Sequence, residues 1–182
     1  MVLSTGDGPR ADFEAGLAAY LAGDYATALA EWKASVQADD PLAQDGLGLL
    51  YVLGLGVPQD YGEAVKWYRL AARQGYAPAQ NSLGVMYDAG NGVPRDHEEA
   101  ARWYHRAATQ GLVEAQFNLG AKYATGEGVP QDDVHAYFWL ALAAMQGDLD
   151  AAVFRGVIGK RMTAEQIAEA QRMAREWKPT TE

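Results

Sequence analysis

Histidine and cysteine, the residues that most often bind metals or act as bases and nucleophiles, are scarce in this sequence of 182 residues. The histidines are His97, His105 and His135. The first two lie eight residues apart rather than at the i, i+4 spacing of a helical metal-binding pair. Cysteine is absent, which excludes thiolate zinc sites, iron–sulfur clusters, disulfides and thiol nucleophiles. The sequence therefore predicts no metal-binding residue.

Serine nucleophiles and catalytic acid pairs also lack a suitable context. No Gly-x-Ser-x-Gly elbow occurs, and Ser35 and Ser82 have no histidine at a suggestive distance. The paired acids stand at expected helix starts or turns, where a carboxylate complements the helix dipole. These pairs are Asp39-Asp40, Glu98-Glu99 and Asp132-Asp133. We predict no catalytic residue, and we interpret the acid pairs as structural.

Three Gly-x-Gly elements, at 54–56, 90–92 and 126–128, raise the possibility of a phosphate-binding loop. None continues as G-x-G-x-x-G or ends in Gly-Lys-Ser/Thr, and none follows an expected strand. Because the three are copies of one connector at a constant interval, they are interpreted as structural. No cofactor-binding residue is predicted.

The composition is that of a folded, acidic protein. Hydrophobic residues make up 49% and charged residues 21%, as in ordinary globular chains, and the formal net charge is −9. Nucleic acid and anionic membrane surfaces require a basic face, so neither is an expected partner. No run of 18 apolar residues occurs, and the N-terminus has no apolar segment of a secretory leader. The expected location is the cytoplasm, or the periplasm if a leader has been removed.

A 36-residue period dominates the chain. Residues 41–76 and 77–112 are identical at 18 of 36 aligned positions, and 113–148 continues the same register. Each unit is expected to form two helices, because its apolar residues recur at helical spacing before and after the Gly-x-Gly-Val-Pro connector. Each carries a glycine for close helix packing, a tryptophan expected in the core and an aspartate expected to cap the second helix. These residues are Gly48, Gly84, Gly120, Trp67, Trp103, Trp139, Asp60, Asp96 and Asp132.

The repeats are flanked by variants of the same unit. Residues 11–40 fit a tetratricopeptide-like helix pair with a short turn, and 1–10 are expected to form a disordered tail. Residues 149–178 are expected to be C-terminal capping helices, followed by a tail at 179–182. The last of these helices opens with a capping box at Thr163-Ala-Glu-Gln166.

The repeated pattern A-x-x-x-L-G-x-x-Y-x-x-G-x-G-V-x-x-D-x-x-x-A-x-x-W-Y-x-x-A-A-x-Q-G resembles the Sel-one-like repeat, a relative of the tetratricopeptide repeat. Residues 41–148 carry it almost completely, and the third unit departs from it at Phe138 and at 141–142. The resemblance implies an all-α, right-handed α-solenoid of stacked antiparallel helix pairs. It also implies protein–protein recognition, as in adaptors and scaffolds. One cysteine-rich branch is linked to β-lactam binding, but this chain has no cysteine and no Ser-x-x-Lys.

By analogy with tetratricopeptide repeats, the non-repeating positions of the first helices line a concave groove. The set is apolar with a few acids, which suits an amphipathic helix or an extended peptide carrying Lys or Arg. An alternative interpretation has Leu49 and Val85 packing between neighbouring first helices. The predicted groove residues are Phe13, Leu17, Tyr20, Asp45, Leu49, Val52, Asn81, Val85, Asp88, Phe117, Ala121 and Ala124.

The predicted function is a non-enzymatic protein-interaction module without a cofactor. One alternative is a cell-envelope hydrolase acting on β-lactams or peptidoglycan, although no nucleophile for it was found. Another is self-assembly into a homodimer through exposed apolar surface.

Overall fold

The computed structural model describes the backbone of residues 9–180 and, apart from residues 9–12 and 38, their side chains. The described residues form ten α-helices, a 3₁₀ turn at Val36–Ala38 and no strand. Among them, no helix has both the length and the apolar character to cross a membrane. The helices are α1 (Pro9–Leu21), α2 (Tyr25–Ser35), α3 (Pro41–Leu53), α4 (Tyr61–Arg73), α5 (Ala77–Ala89), α6 (His97–Thr109), α7 (Val113–Thr125), α8 (Asp133–Met145), α9 (Leu149–Gly159) and α10 (Ala164–Glu176).

The chain divides into two compact units. The N-terminal unit is Met1–Ala79 with Asn91–Val93, and the C-terminal unit is Gln80–Gly90 with Pro94–Glu182. In the N-terminal unit α1 packs on α2, α2 on α3, and α3 on α4. In the C-terminal unit α7 packs on both α6 and α8, and α8 also packs on α9 and α10. Most of these contacts therefore join helices that follow one another in the chain, and α10 packs on α8.

The second glycine of each connector lies against the backbone at the start of an earlier helix. Gly56, Gly92 and Gly128 all have positive φ angles. A Cβ atom added at Gly56 would lie 2.8 Å from the carbonyl oxygen of Tyr25, and one added at Gly92 would meet the equivalent oxygen of Tyr61. Only glycine satisfies both the φ angle and this close approach.

Aspartate side chains cap the N-termini of the second helices of the repeats. Asp60 and Asp96 each accept a hydrogen bond of 3.0 Å from the backbone N–H three residues later. Asp132 accepts from the N–H groups of Val134 and His135, at 2.9 and 3.1 Å. These bonds satisfy donors that would otherwise have no partner in the first turn.

In the first two repeats the tyrosine after the tryptophan is more deeply buried than the tryptophan, and in the third repeat its position is held by the buried Leu140. Tyr68 and Tyr104 are buried, whereas Trp67 and Trp103 are only half-buried. Of the three repeat tryptophans predicted as core residues, Trp139 is buried, whereas Trp67 and Trp103 are only partly in the core. Trp67 packs against the buried residues of the N-terminal unit, and the Nε1 atoms of both half-buried rings are buried. The half-buried ring of Trp103 instead has the guanidinium of Arg106 4.7 Å from its centroid.

Pairs of glutamines join the two helices of each repeat. Gln74 donates to the side-chain oxygen of Gln44 at 2.9 Å, and Gln110 donates to Gln80 at 2.8 Å. The third pair, Gln146 and Gln116, has the same geometry at 2.9 Å. The accepting glutamines are buried, so these bonds satisfy amides that would be costly to bury alone.

The two ends of the chain differ in part from the predicted tails. Helix α1 begins at Pro9, so the predicted tail 1–10 is wrong at its last two residues, and residues 1–8 lie outside the described residues. Thr163 and Gln166 form the predicted capping box of α10. Beyond α10, the Thr180 N–H donates to the Thr109 carbonyl at 2.9 Å, so residues 179–180 are held against α6.

Candidate functional site

In the N-terminal unit the predicted groove residues lie on α1 and α3. Phe13 and Tyr20 are half-buried beside Trp32, with ring centroids 6.1 and 5.8 Å from it. Leu17 is exposed, whereas Leu49 and Val52 are half-buried. The two aromatic rings therefore stabilise the α1–α2 pair, and Leu17 is the clearest of these residues to present apolar surface.

Asp45, on α3, has an unusual environment for a carboxylate. Its Oδ1 atom is buried and has no hydrogen-bond partner among the described residues. Burial raises the pKa of Asp45 to about 6, because the charged form loses hydration without gaining a bond. This carboxyl group is therefore poorly suited to bind a cation from a partner.

In the C-terminal unit the predicted residues lie on α5 and α7. Val85 is exposed, and the Asn118 side chain donates to Asn81 Oδ1 at 3.1 Å between the two helices. Phe117 is half-buried and has its ring centroid 6.4 Å from that of Phe154. Ala124 is only 5% exposed. Its assignment to the groove surface is wrong, because its side chain faces the packed side of α7.

A charged cluster that the sequence analysis missed lies between α5 and α7. Lys122 is 5% exposed, and its Nζ atom lies 2.5 Å from Asp88 Oδ1 and 3.0 Å from Glu127 Oε2. His97 Nδ1 lies 2.5 Å from the same Asp88 oxygen and 3.5 Å from Lys122 Nζ. We call these four residues the Lys122 cluster.

The sequence did contain a signal for this cluster. Lys122 takes the repeat position held by Leu50 and Met86, which are both buried. A lysine at a buried apolar position requires an opposite charge nearby. Asp88 supplies it from the position that Val52 and Ala124 occupy in the other repeats.

The cluster holds its carboxylates in the charged form. Burial alone would raise the pKa of Asp88, but hydrogen bonds from Lys122 and His97 hold it below its usual value. The hydrogen bond and the positive charge of Lys122 likewise lower the pKa of Glu127. The ligand atoms of Asp88, His97 and Glu127 lie within 4.8 Å of one another, the spacing of a metal-binding set. The Lys122 ammonium lies among them, so it already supplies the positive charge that a metal ion would bring.

A cavity of about 210 Å³ adjoins the cluster. Its lining combines charged, hydroxyl-bearing and amide side chains with an alanine, so it can accept a polar group that carries a short apolar stem. Glu127 at its edge is exposed. The lining residues are Asp88, Tyr104, Asn118, Ala121, Lys122, Thr125 and Glu127.

The other two histidines lie apart from this cluster. His135 Nδ1 is 2.7 Å from Asp132 Oδ2, and its ring stacks on Tyr123 with centroids 5.2 Å apart. The His105 ring lies edge-on to Trp139, at 6.0 Å. His105 also lines a cavity of about 400 Å³ beside α6, where Arg102 pairs with Glu98 and Glu99. Arg102 is thus neutralised, and Arg106, which also lines the cavity, lies over the Trp103 ring.

Comparison with known proteins identifies the repeat. The profile of the Sel1 repeat matches residues 41–76, 77–112 and 113–148. No curated protein sequence matches the chain. Among solved structures, a Sel1 repeat protein from Oxalobacter formigenes is 33% identical with a TM-score of 0.78, and the match covers 82% of this chain and 61% of that one. A protective antigen of uropathogenic Escherichia coli strains that displays an SLR fold is 30% identical, also with a TM-score of 0.78.

The second match covers 96% of this chain and 42% of the antigen, so this chain spans less than two thirds of either relative's length. Both relatives share the predicted all-α solenoid architecture. This fold is generally a non-enzymatic scaffold for protein–protein interaction. With three consecutive profile matches over 41–148 and a relative at 33% identity, the chain belongs to the Sel1 repeat family.

Proposed function

We propose that this chain is a non-enzymatic interaction module that binds a peptide or protein segment on the α5–α7 side of its C-terminal unit. The observation that carries the proposal is the Lys122 cluster beside an exposed apolar residue, Val85. A buried ion pair seldom increases stability over an apolar pair of similar size. The other two repeats hold Leu50 and Met86 at this position, and both are buried. Packing alone therefore does not explain why this repeat has a lysine there, paired with Asp88.

The chemistry of the surface selects a partner that combines an apolar side chain with a cation. Asp88 and Glu127 bring two negative charges against one from Lys122, and Glu127 is exposed at the cavity edge. The net charge of −9 also favours the approach of a basic segment. We define the partner surface as Asn81, Val85, Asp88, Phe117, Ala121 and Glu127.

The predicted groove residues of the N-terminal unit belong to the same proposal as a second apolar surface. Leu17, on α1, is exposed. On α3, Leu49 and Val52 are half-buried, and Leu53 at the end of the helix is exposed. Because Oδ1 of Asp45 is buried without a hydrogen bond among the described residues, this surface relies on apolar contact rather than on charge.

A peptide-display selection against the immobilised full chain tests the proposal. We expect enrichment of peptides in which Lys or Arg stands three or four residues from a large apolar residue, as on one helix face. For an enriched peptide, Val85→Glu should raise the dissociation constant about tenfold or more, because it replaces an apolar contact with a carboxylate that the peptide's apolar side chain would desolvate. Glu127→Gln should raise it less and should weaken its salt dependence.

Two matched controls accompany these variants. Glu169→Gln removes an exposed acid on α10, and Leu70→Glu adds an acid at an exposed position of α4, and neither helix carries a residue of the partner surface. Neither should change peptide affinity. Equal binding by wild type and Val85→Glu, with circular dichroism unchanged, would show that the partner surface is wrong.

The non-enzymatic part of the proposal has its own test. Fluorogenic β-lactam and peptidoglycan-fragment substrates should give no turnover above buffer with the full chain. Turnover that co-purifies with the chain and is lost in a site variant would favour the hydrolase alternative instead.

A further inference from the structure

Helix α9 carries an uncovered apolar face. Leu149, Val153 and Val157 are 79%, 69% and 51% exposed, and they recur every fourth residue along one side of the helix. Gly156 lies on the same side, and a Cβ atom added there would have no neighbour within 4 Å. The face is about 12 Å long, from the helical rise of 1.5 Å per residue.

Such a face differs from scattered surface leucines. On α1, Leu21 is 75% exposed, and the exposed large apolar residue one turn away from it is Leu17, at 38%. On α9 the exposed residues span two full turns, and Met145 at the end of α8 is also exposed. Continuous exposed apolar surface of this kind marks an interaction site.

Two opposite charges flank the apolar face. Asp150 lies in the first turn of α9 and Lys160 directly follows its last residue, and both are exposed. Within the part of the chain that the structure describes, neither side chain forms an ion pair. They are ten residues apart, so they stand at the two ends of the face with nothing of opposite sign to bind.

We propose that α9 pairs with α9 of a second copy of this chain, antiparallel and around a two-fold axis near the level of residue 155. In that arrangement Asp150 faces Lys160 of the partner subunit, and Lys160 faces Asp150 of the partner subunit. Val153 packs on Val157 of the partner subunit, and Gly156 permits a close crossing of the two helices. The surface is thus self-complementary in shape, apolarity and charge, as an isologous interface requires.

The charges also select the direction of the pair. A parallel pair would place Asp150 against its own copy and Lys160 against its own copy, and like charges in contact oppose association. Each helix contributes only two turns, so the buried area falls below the about 1,200–2,000 Å² of a standard stable interface. We therefore expect a weak dimer with a dissociation constant on the order of micromolar.

Sedimentation equilibrium of the full chain between 5 and 500 µM tests the proposal. Wild type should shift from monomer to dimer over about this range. Val153→Glu should remain monomeric, because it would bury a carboxylate against Val157 of the partner subunit with no partner of opposite charge, while its circular dichroism and melting temperature stay unchanged. Leu21→Glu is the matched control, since it changes an equally exposed leucine outside α9, and it should dimerise as wild type does.

A charge exchange tests the antiparallel arrangement. Asp150→Lys or Lys160→Asp alone should raise the dissociation constant about tenfold, because each creates two like-charge contacts. The double variant Asp150→Lys/Lys160→Asp should return to within about threefold of wild type, because the opposite charges face each other again.

Three results would overturn the inference. They are a monomer at every concentration, a dimer that survives Val153→Glu, and a double charge variant no stronger than the single ones. The proposed function is tested at Val85 and Glu127, which lie outside α9, so failure of the dimer leaves the proposed function intact, and the reverse also holds.

Discussion

Gly84 lies in direct contact with the ring of Tyr104: a Cβ atom at position 84 would stand 2.5 Å from Tyr104 Cε1. The same contact joins Gly48 to Tyr68 at 2.5 Å, and in the first helix pair Gly16 lies against Trp32 at 2.4 Å. A missing side chain on one helix therefore makes room for a buried aromatic ring on the next, and this contact recurs along the chain.

Gly84→Ala should consequently destabilise the protein, although alanine favours helix more than glycine. The overpacking costs about 1–3 kcal/mol and the helix propensity returns about 1 kcal/mol. We expect a net loss of up to about 2 kcal/mol in the free energy of unfolding, measured by urea denaturation. Gly156→Ala, at an unobstructed helical position, should instead raise it by about 0.5–1 kcal/mol. Equal effects of the two substitutions would show that the Tyr104 contact is not tight.

Repetition made the helices, the connector and the packing glycine predictable, because each appears three times in one register. The choice between Trp103 and Tyr104 was not predictable in the same way. The two residues are adjacent on the helix, and a 3.6-residue period does not determine which of two neighbouring aromatics points inward. The pairing of Asp88 with Lys122, 34 residues apart, depends on tertiary packing. The sequence indicated this pair only through Lys122, a lysine at a repeat position that is otherwise apolar.

Truncation of the two neighbouring aromatics should separate their roles. Tyr104→Ala removes a fully buried ring and should cost about 3–5 kcal/mol. Trp103→Ala removes a ring that is half-buried and should cost only about 1–3 kcal/mol. Thermal and urea unfolding of both variants measures the difference. A larger loss for Trp103→Ala would mean that its indole contributes more to packing than its exposure indicates.

Asp45 should make stability depend on pH. Its pKa is raised from 3.8 to about 6 in the folded protein, so folding is penalised wherever the unfolded chain would be ionised. The penalty is absent below about pH 4, grows between pH 4 and 6, and is complete above pH 6. Asp45→Asn should therefore raise the free energy of unfolding by about 1–3 kcal/mol at pH 8 and change it little at pH 4. A gain of equal size at both pH values would exclude ionisation of Asp45 as the cause.

The effects of the Lys122 cluster on stability and on peptide binding should be separable by mutation. Lys122→Met places at position 122 the residue that Met86 supplies in the preceding repeat, but it leaves Asp88 without its ammonium partner. We expect this single variant to lose about 1–3 kcal/mol in the free energy of unfolding. The first repeat has Val52 at the position of Asp88. Adding Asp88→Val therefore removes the charge that has lost Lys122, and it should restore stability to the wild-type value or above it.

The same double variant, Lys122→Met/Asp88→Val, should nevertheless bind selected basic peptides about tenfold more weakly, because it removes Asp88 from the partner surface. Urea denaturation and fluorescence anisotropy on the same preparations measure the two quantities. Stability and affinity that both recover in the double variant would mean that Asp88 serves packing alone. Stability that recovers while affinity does not would show that the Lys122–Asp88 pair is retained for recognition. It would also show that the pair stabilises the fold less than apolar residues at the same positions would.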